Sequence, residues 1–158
     1  MEEREIKTQA IVLSSEDSGE ADRIITLLTV DKGKLRAKIK GVKRQMAKLS
    51  YASFPFNFGE YLLVRTGRSF TVTNCSYIDN FSKLTMDLNK YWAGCGVLEV
   101  ANHLARETED SFGIFMVVLK TIKMLAYNEE LNIISVLSKF LVEALEMSGF
   151  KPTAEILD

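Results

Sequence analysis

The first half of the chain alternates hydrophobic and polar residues with a period of two, which is typical of half-buried β-strands. The five alternating segments are TQAIVLS (8–14), RIITLLTV (23–30), GKLRAKIKG (33–41), FGEYLLVRTG (58–67) and RSFTVTNCSYI (68–78). The last two segments meet at a turn at Thr66-Gly67, and Gly59 interrupts the alternation as a bulge or bend would. Five strands without an intervening helical pattern predict a small closed or half-closed barrel over residues 6–79.

After residue 80 the hydrophobic period becomes helical, with apolar residues three and four positions apart. Three stripes follow this spacing: Leu84, Leu88, Tyr91, Cys95, Leu98 and Ala101; Phe112, Phe115, Met116, Leu119, Ile122 and Ala126; and Ile134, Leu137, Leu141 and Leu145. Ser111 or Asp110 is a suitable cap for the second helix and Asn132 for the third, while Gly149 and Pro152 end the last one. The chain is therefore expected to be an α+β protein, with a barrel domain over residues 1–80 and a domain of about three helices over residues 81–158.

Composition excludes several classes of protein. The 158 residues carry 20 Lys and Arg against 21 Asp and Glu, with two cysteines and a single histidine, His103. These ligands are too few for a tetrahedral zinc site, and no phosphate-cradling glycine loop or group of nucleophile and base is apparent. We expect no catalytic residues, no metal and no cofactor, and hence no enzyme. No apolar stretch reaches eighteen residues and the N-terminus lacks a signal peptide, so a cytoplasmic protein without a membrane span is predicted.

Charge is distributed unevenly along the chain. Residues 1–80 hold 13 basic and 10 acidic residues, whereas residues 81–158 hold 7 and 11. Between Lys32 and Lys48 there are eight basic residues and no acidic one. This basic run lies in the barrel half, which is therefore the expected site for a polyanionic partner.

The third predicted strand places four cations on one face. Side chains alternate across a strand, so Lys34, Arg36, Lys38 and Lys40 line one side over roughly 20 Å, opposite Leu35, Ala37 and Ile39. Lysine on a solvated edge strand deters aggregation, but one or two lysines suffice for that. The row therefore favours binding of a polyanion, continued by Lys43, Arg44 and Lys48 in the following loop.

Two further segments lie close in sequence to this basic run, one after it and one before it. Tyr51 follows the basic loop and carries a polar tip, so it is the aromatic residue best suited to stack on an unpaired base, whereas Phe54, Phe56, Phe58, Tyr61 and Phe70 are individually more typical of a core. The acidic segment SEDSGEAD (15–22) is interpreted as a solvated strand connection, in which Glu20 or Asp22 could anchor Arg23.

An ordered set of motifs resembles the bacterial recombination mediator family RecO. The set comprises an AIVL strand (Ala10–Leu13), an E-x-D-R element (Glu20–Arg23), a T-x-x-x-G-K turn (Thr29, Gly33, Lys34) and a basic strand ending in Lys40-Gly41, followed by SFPF (53–56) and SGFKP (148–152). One departure is Ala47, since the family usually has a small hydroxyl residue before its late basic residue. The family also usually continues beyond this last element, often with a cysteine-rich zinc module, so the resemblance implies that the helical domain ending at Asp158 is incomplete.

The resemblance implies an N-terminal OB-fold and a role in DNA repair and recombination. It implies binding of single- and double-stranded DNA, strand annealing, and association with RecR and with the single-stranded DNA-binding protein to load RecA, in the bacterial cytoplasm at the nucleoid. From the charge pattern and the position of Tyr51, we expect the DNA-binding residues to be Lys34, Arg36, Lys38, Lys40, Lys43, Arg44, Lys48 and Tyr51. Lys120 and Lys123, on the polar face of the second helix, are candidates for the acidic tail of the single-stranded DNA-binding protein. Two alternatives remain open: an OB-type RNA-binding module, and an adaptor whose basic face docks an acidic protein.

Overall fold

The computed structural model describes residues 4–45, 47–108 and 110–149, and consists of five strands followed by three helices. The strands are β1 (Glu5–Ser18), β2 (Asp22–Thr29), β3 (Lys34–Ile39), β4 (Phe58–Thr66) and β5 (Ser69–Asp79). The helices are α1 (Leu88–Leu104), α2 (Phe112–Tyr127) and α3 (Ile133–Met147), and short 3-10 turns lie at Ser50–Ser53 and Ser82–Met86. Over the described residues, none of the helices is both long and apolar enough to cross a bilayer.

The five strands close into a barrel in the order β1-β2-β3-β5-β4. All neighbours are antiparallel except β3 and β5, which pair in parallel at only two positions, Ala37 with Phe70 and Lys38 with Thr71. The register of β4 against β5 shifts between Phe58 and Gly59, where the interrupted alternation predicts a bulge. The predicted fold, an OB-type barrel followed by three helices, is confirmed.

Alternating residues of the strands fill the barrel. Ala37 and Ile39 of β3 are buried with Ile25 and Leu27 of β2, whereas Leu35 is only partly buried at the edge of this core. The cations of β3 therefore point outward, as the alternation predicts.

The acidic segment 15–22 is not a loop, contrary to the sequence interpretation. β1 pairs with β4 only through Ile11, then continues to Ser18 beside β2, from Ser14 opposite Thr26 to Ser18 opposite Asp22. Only residues 19–21 form the turn, with Gly19 at a φ of +68°. We call residues 14–26 the acidic hairpin.

The helices match the predicted number, but each of the three predicted stripes contains misplaced residues. Leu84 belongs to a 3-10 turn before α1, which begins at Leu88 and is capped by Asp87. In α2, Phe112 and Met116 are exposed although the rest of their stripe is buried.

In α3 the predicted stripe is only partly on the core side: Leu137 packs against the core, but two other members are exposed. Ile134 is 77% exposed and Leu141 is 44% exposed, whereas Phe140 is 2% exposed and Ala144 is fully buried. The core face of α3 is thus one position away from the prediction. Asn132 caps α3 as expected, by accepting from the N–H of Ser135, and Gly149 follows the helix with a φ of +85°. Pro152 lies outside the described residues.

The helices pack on the outside of the barrel. Ile11, Leu13 and Leu28 are buried in one cluster with residues of α1 and α2. This apolar contact covers one end of the β1-β2-β3 surface and leaves the acidic-hairpin end uncovered. The division into two domains at residue 80 stays a prediction; strand gives way to helix between Asp79 and Ser82.

A polar junction holds the start of β3 against the helices. The hydroxyl of Ser111, immediately before α2, accepts from the N–H of Gly33 at 2.9 Å and donates to the Thr29 carbonyl at 2.9 Å. The Thr29 hydroxyl donates in turn to the Gly33 carbonyl at 2.7 Å. The N–H of Lys34 donates to the Arg106 carbonyl at 2.8 Å. The T-x-x-x-G-K motif is therefore the turn that joins the barrel to the helices.

Candidate nucleic-acid interface

The row of cations on β3 is divided by the helices that cover one end of the strand. The ammonium of Lys34 donates to the Asn102 carbonyl near the end of α1, at 2.7 Å, and the residue is half-buried. A hydrogen bond to a charged donor in such a place is strong enough to fix the side chain. Lys34 therefore belongs to the junction, and its predicted contact with DNA stays a prediction.

The other three cations of the row line an open groove of about 510 Å³ along the β3–β5 edge. Arg36, Lys38 and Lys40 come from β3 and its end, and Arg68 comes from the turn between β4 and β5. We call these four residues, with Ile24 and Phe70, the basic groove. Sequence analysis identified the turn at Thr66-Gly67 but missed Arg68; the signal available was that the loop between β4 and β5 is a ligand-binding loop in OB-folds.

One aromatic ring is part of the groove wall. Phe70 is half-buried, and the guanidinium of Arg65 lies 4.8 Å from its ring centroid. The aromatic residue chosen from the sequence, Tyr51, lies elsewhere: its hydroxyl donates to the Cys75 carbonyl at 2.7 Å and its ring meets Tyr77 edge-on. Tyr51 is not among the residues that line the groove, whereas Phe70 is, and the predicted contact of Tyr51 with DNA stays a prediction.

The acidic hairpin is ion-paired to the basic surface. Glu16 forms an ion pair with Arg36. The Asp17 carboxylate lies 3.2 Å from the ammonium of Lys43 and 3.4 Å from Nε of Arg23. The hydrogen bond from Lys43 is the main cause that lowers the pKa of the Asp17 carboxyl. Asp22, which sequence analysis considered as an anchor for Arg23, instead accepts from the N–H of Gly41 at 2.8 Å.

The remaining predicted cations lie in the loop between β3 and β4. Lys43, Arg44 and Lys48 are exposed, and the loop starts at the end of the basic groove. The structure thus brings Arg36, Lys38 and Lys40 together, adds Arg68, and leaves Lys43, Arg44 and Lys48 as a separate basic loop.

Comparison with known proteins identifies the family. The family model described as "Recombination protein O N terminal" matches residues 1–81. The chain belongs to the RecO family. DNA repair protein RecO of Nocardioides sp. is 34% identical over 151 residues, covering 94% of this chain and 62% of that protein. The RecO proteins of Dehalococcoides mccartyi and Acetivibrio thermocellus are 32% and 26% identical, each with 58% of its length covered. The chain thus spans about three fifths of the length of the RecO relatives it matches.

The candidate partner site on α2 is only partly available. The ammonium of Lys120 lies 2.8 Å from the carboxylate of Glu143 on α3, so its charge is already compensated. Lys123 is exposed and lines an open depression at the end of α2, with Tyr127 and Asn128. The tail-binding role of Lys120 and Lys123 stays a prediction.

No metal site is apparent in the part of the chain that the structure describes, since it contains no group of three His, Cys, Asp or Glu side chains placed to hold an ion. The expectation that the chain is not an enzyme stays a prediction.

Lys34 and the groove cations are expected to respond differently to mutation. Lys34→Ala removes the hydrogen bond to Asn102 and should lower the free energy of unfolding by about 1–2 kcal/mol. Because the ammonium is engaged at the junction, the salt dependence of single-strand binding should stay that of the wild type. Chemical denaturation and a salt titration of oligonucleotide binding measure the two effects. A flatter salt dependence with unchanged stability would instead mean that Lys34 leaves Asn102 to contact phosphate.

Proposed function

We propose that this chain is the DNA-binding portion of a recombinational repair protein, and that the basic groove binds the backbone of single-stranded DNA. The observation that carries the proposal is the convergence of Arg36, Lys38, Lys40 and Arg68 on one groove of an OB-fold barrel. OB-folds bind oligonucleotides on the face of strands 2 and 3 and with the loop between strands 4 and 5, which are the elements that supply these residues.

The charge of the groove suits a phosphate chain. Alternate residues of a strand are about 7 Å apart, so Lys38 and Lys40 present two positive charges in register along the groove. Neutralising several phosphates releases condensed counterions, which is the main source of affinity in binding without sequence preference. Lys43, Arg44 and Lys48 extend the positive surface beyond the groove.

The aromatic wall favours a single strand over a duplex. Phe70 lies among the cations, with Arg65 against its ring. An unpaired base can stack on such a ring, whereas a base in a duplex is already stacked. Double-stranded DNA would then be held by phosphate contacts alone, and more weakly.

The proposal extends to strand annealing and to the protein partners that the resemblance to the RecO family implies. Cations that neutralise two phosphate backbones allow complementary strands to approach, and base pairing then supplies the free energy of annealing. Association with RecR and with the single-stranded DNA-binding protein, and through them the loading of RecA at the nucleoid, completes the proposed role. The chain itself performs no covalent step in this role.

Competition between polyanions tests the proposal. A labelled 20-nucleotide single strand is bound at low salt and displaced by DNA, by RNA of the same sequence, or by a polyglutamate peptide of the same charge. Displacement by DNA at lower concentration than by RNA or peptide supports the proposal. Stronger displacement by RNA would favour the RNA-binding alternative, and stronger displacement by the peptide would favour the adaptor.

Phe70→Leu tests the stacking part. The substitution keeps an apolar side chain beside the core but removes the flat ring, so single-strand affinity should fall at least fivefold, on the scale of about 1–3 kcal/mol per stacked base. The slope of log K against log [salt] should be unchanged, because no cation is lost. Tyr51→Leu is the matched control; an equal loss of affinity there would contradict the assignment of Phe70.

A further inference from the structure

Two carboxylates of the acidic hairpin occupy cations of the proposed DNA surface. Glu16 holds Arg36, which lines the basic groove, and Asp17 holds Lys43, which begins the basic loop. Both carboxylates are well exposed, with 63% of each side chain accessible to solvent. The Glu16–Arg36 pair is exposed at both ends, so it is not needed to compensate a charge inside the protein; the Lys43 side chain is 26% accessible, and Asp17 also contacts Arg23.

Strand geometry explains how two adjacent residues reach two different parts of the surface. Glu16 lies opposite Ile24, which lies opposite Lys38, so the Glu16 side chain is on the face of the sheet that carries the groove cations. Asp17 is the next residue and points to the other face, towards Arg23 and Lys43. The hairpin therefore stands between the basic groove and the basic loop and contacts both.

The hairpin extends beyond the part of β1 that closes the barrel. β1 and β4 pair from Glu5 to Ile11, whereas Glu16 and Asp17 are paired only with β2. β2 pairs on its other side with β3, Ile24 with Lys38 and Arg23 with Ile39, so the carboxylates are held on the β1-β2-β3 part of the sheet, beyond the point where β1 closes the barrel against β4. A segment of this kind can present fixed negative charges to a cationic surface.

We propose that Glu16 and Asp17 are intramolecular competitors of nucleic-acid phosphate, which occupy Arg36 and Lys43 in the free protein and are displaced when a strand binds. This inference rests on the proposed function of the basic groove. The two carboxylates thereby set the affinity of the surface and restrict it to ligands with several phosphates in a row, since one isolated anion gains little by replacing one carboxylate.

The expected effect is modest for each pair. Exposed ion pairs contribute 0–1 kcal/mol, so freeing Arg36 or Lys43 should tighten single-strand binding about two- to fivefold each. Glu16→Gln and Asp17→Asn keep the shape of the side chains and remove only the charge. Because the pairs lie on opposite faces of the hairpin, their effects should multiply, giving about four- to twenty-five-fold in the double variant.

The experiment is a double-mutant cycle on Glu16 and Arg36, with a labelled oligonucleotide of thymidines as the probe. Wild type, Glu16→Gln, Arg36→Ala and the double variant are titrated at one low salt concentration. Glu16→Gln should tighten binding in the wild-type background and have no effect when Arg36 is already alanine. Glu20→Gln, in the turn of the same hairpin, removes an equal charge and should change affinity less than 1.5-fold, at about the limit of measurement.

The outcomes separate this inference from the proposed function. If the wild type binds the oligonucleotide but Glu16→Gln has no effect, acts no more than Glu20→Gln, or acts equally without Arg36, the competition is overturned and the DNA-binding function stands. If the wild type does not bind at all, both are overturned.

Discussion

Replacing Lys38 and Arg68 together by alanine is expected to remove about half of the salt dependence of single-strand binding. Four cations line the basic groove. Each phosphate neutralised on a single strand contributes about −0.7 to the slope of log K against log [salt], so the wild-type slope should be roughly −3. A fourfold rise in salt should then weaken wild-type binding about fiftyfold. The double variant should have a slope near −1.4, and the same rise in salt should weaken it only about sevenfold.

These two residues are the most informative pair because no ion pair within the described residues engages either of them. Arg36 is held by Glu16, so its loss mixes the loss of a phosphate contact with the release of a carboxylate. Both side chains point away from the barrel core, so the free energy of unfolding should change by less than about 0.5 kcal/mol.

A charge-matched control comes from two cations outside the groove, each of which is ion-paired to a nearby carboxylate. Lys7 on β1 and Lys139 on α3 are exposed and lie outside the groove. Lys7→Ala with Lys139→Ala lowers the net charge by the same amount and should leave the slope near −3. Equal slopes for the two double variants would show that only the overall charge matters, and would remove the basic groove from the proposal.

The row of cations on β3 has two roles because the helices cover only one end of the strand. At the start of β3, Lys34 and its backbone N–H are bonded to carbonyls at and beyond the end of α1. Farther along, Lys38 and Lys40 face the groove. The helical part therefore packs beside the proposed binding surface without covering it, which fits the acidic excess of residues 81–158.

The barrel could be predicted from sequence because its signal is local. Alternation along β3 correctly placed Ala37 and Ile39 inside and the cations outside, and the period of two ends where β5 ends. The same reasoning wrongly predicted a loop for the acidic segment, because Glu16, Asp17 and Glu20 are poor strand formers. Its strand conformation comes from backbone pairing with β2, from Ser14 opposite Thr26 to Ser18 opposite Asp22, which spacing within the segment does not reveal.

Apolar spacing alone does not determine which face of α3 is buried. α3 is apolar on more than one side, so Ile134 and Leu141 satisfy helical spacing as well as Phe140 and Ala144 do. Which side is buried depends on how α3 packs against α1 and α2, and spacing within one helix contains no information about that.

The positive charge of the candidate site could be predicted from the sequence, but the set of residues that line it could not. Four like charges on one face of a strand are visible in the sequence, but the covering of Lys34 by α1 and the approach of Arg68 from the next turn require the closed barrel. Phe70 and Tyr51 are similar in sequence context, and only the topology separates the groove wall from the surface near Cys75.

Gly33→Ala is expected to be the most destabilising single substitution considered for this chain. Gly33 has a φ of +77°, which costs a residue with a side chain roughly 1–2 kcal/mol. A methyl group there would lie 2.2 Å from the Thr108 carbonyl oxygen and 2.8 Å from that of Arg106. Both obstacles are backbone atoms, so they can move only if the segment before α2 shifts and the bond from Gly33 to Ser111 breaks. The free energy of unfolding should fall by about 3 kcal/mol or more.

Gly19→Ala separates the clash from the backbone strain. Gly19 has a similar φ of +68°, but no atom lies within 4 Å of an added methyl group, so this variant should lose only the strain of roughly 1–2 kcal/mol. Thermal unfolding should show a melting temperature lower by roughly 6–12 °C for Gly33→Ala and by about one to two thirds of that for Gly19→Ala. Below its melting temperature, Gly33→Ala should keep the steep salt dependence of single-strand binding, because the groove cations lie beyond the junction. Equal stability of the two variants would mean that the helices are not held against the barrel at Gly33.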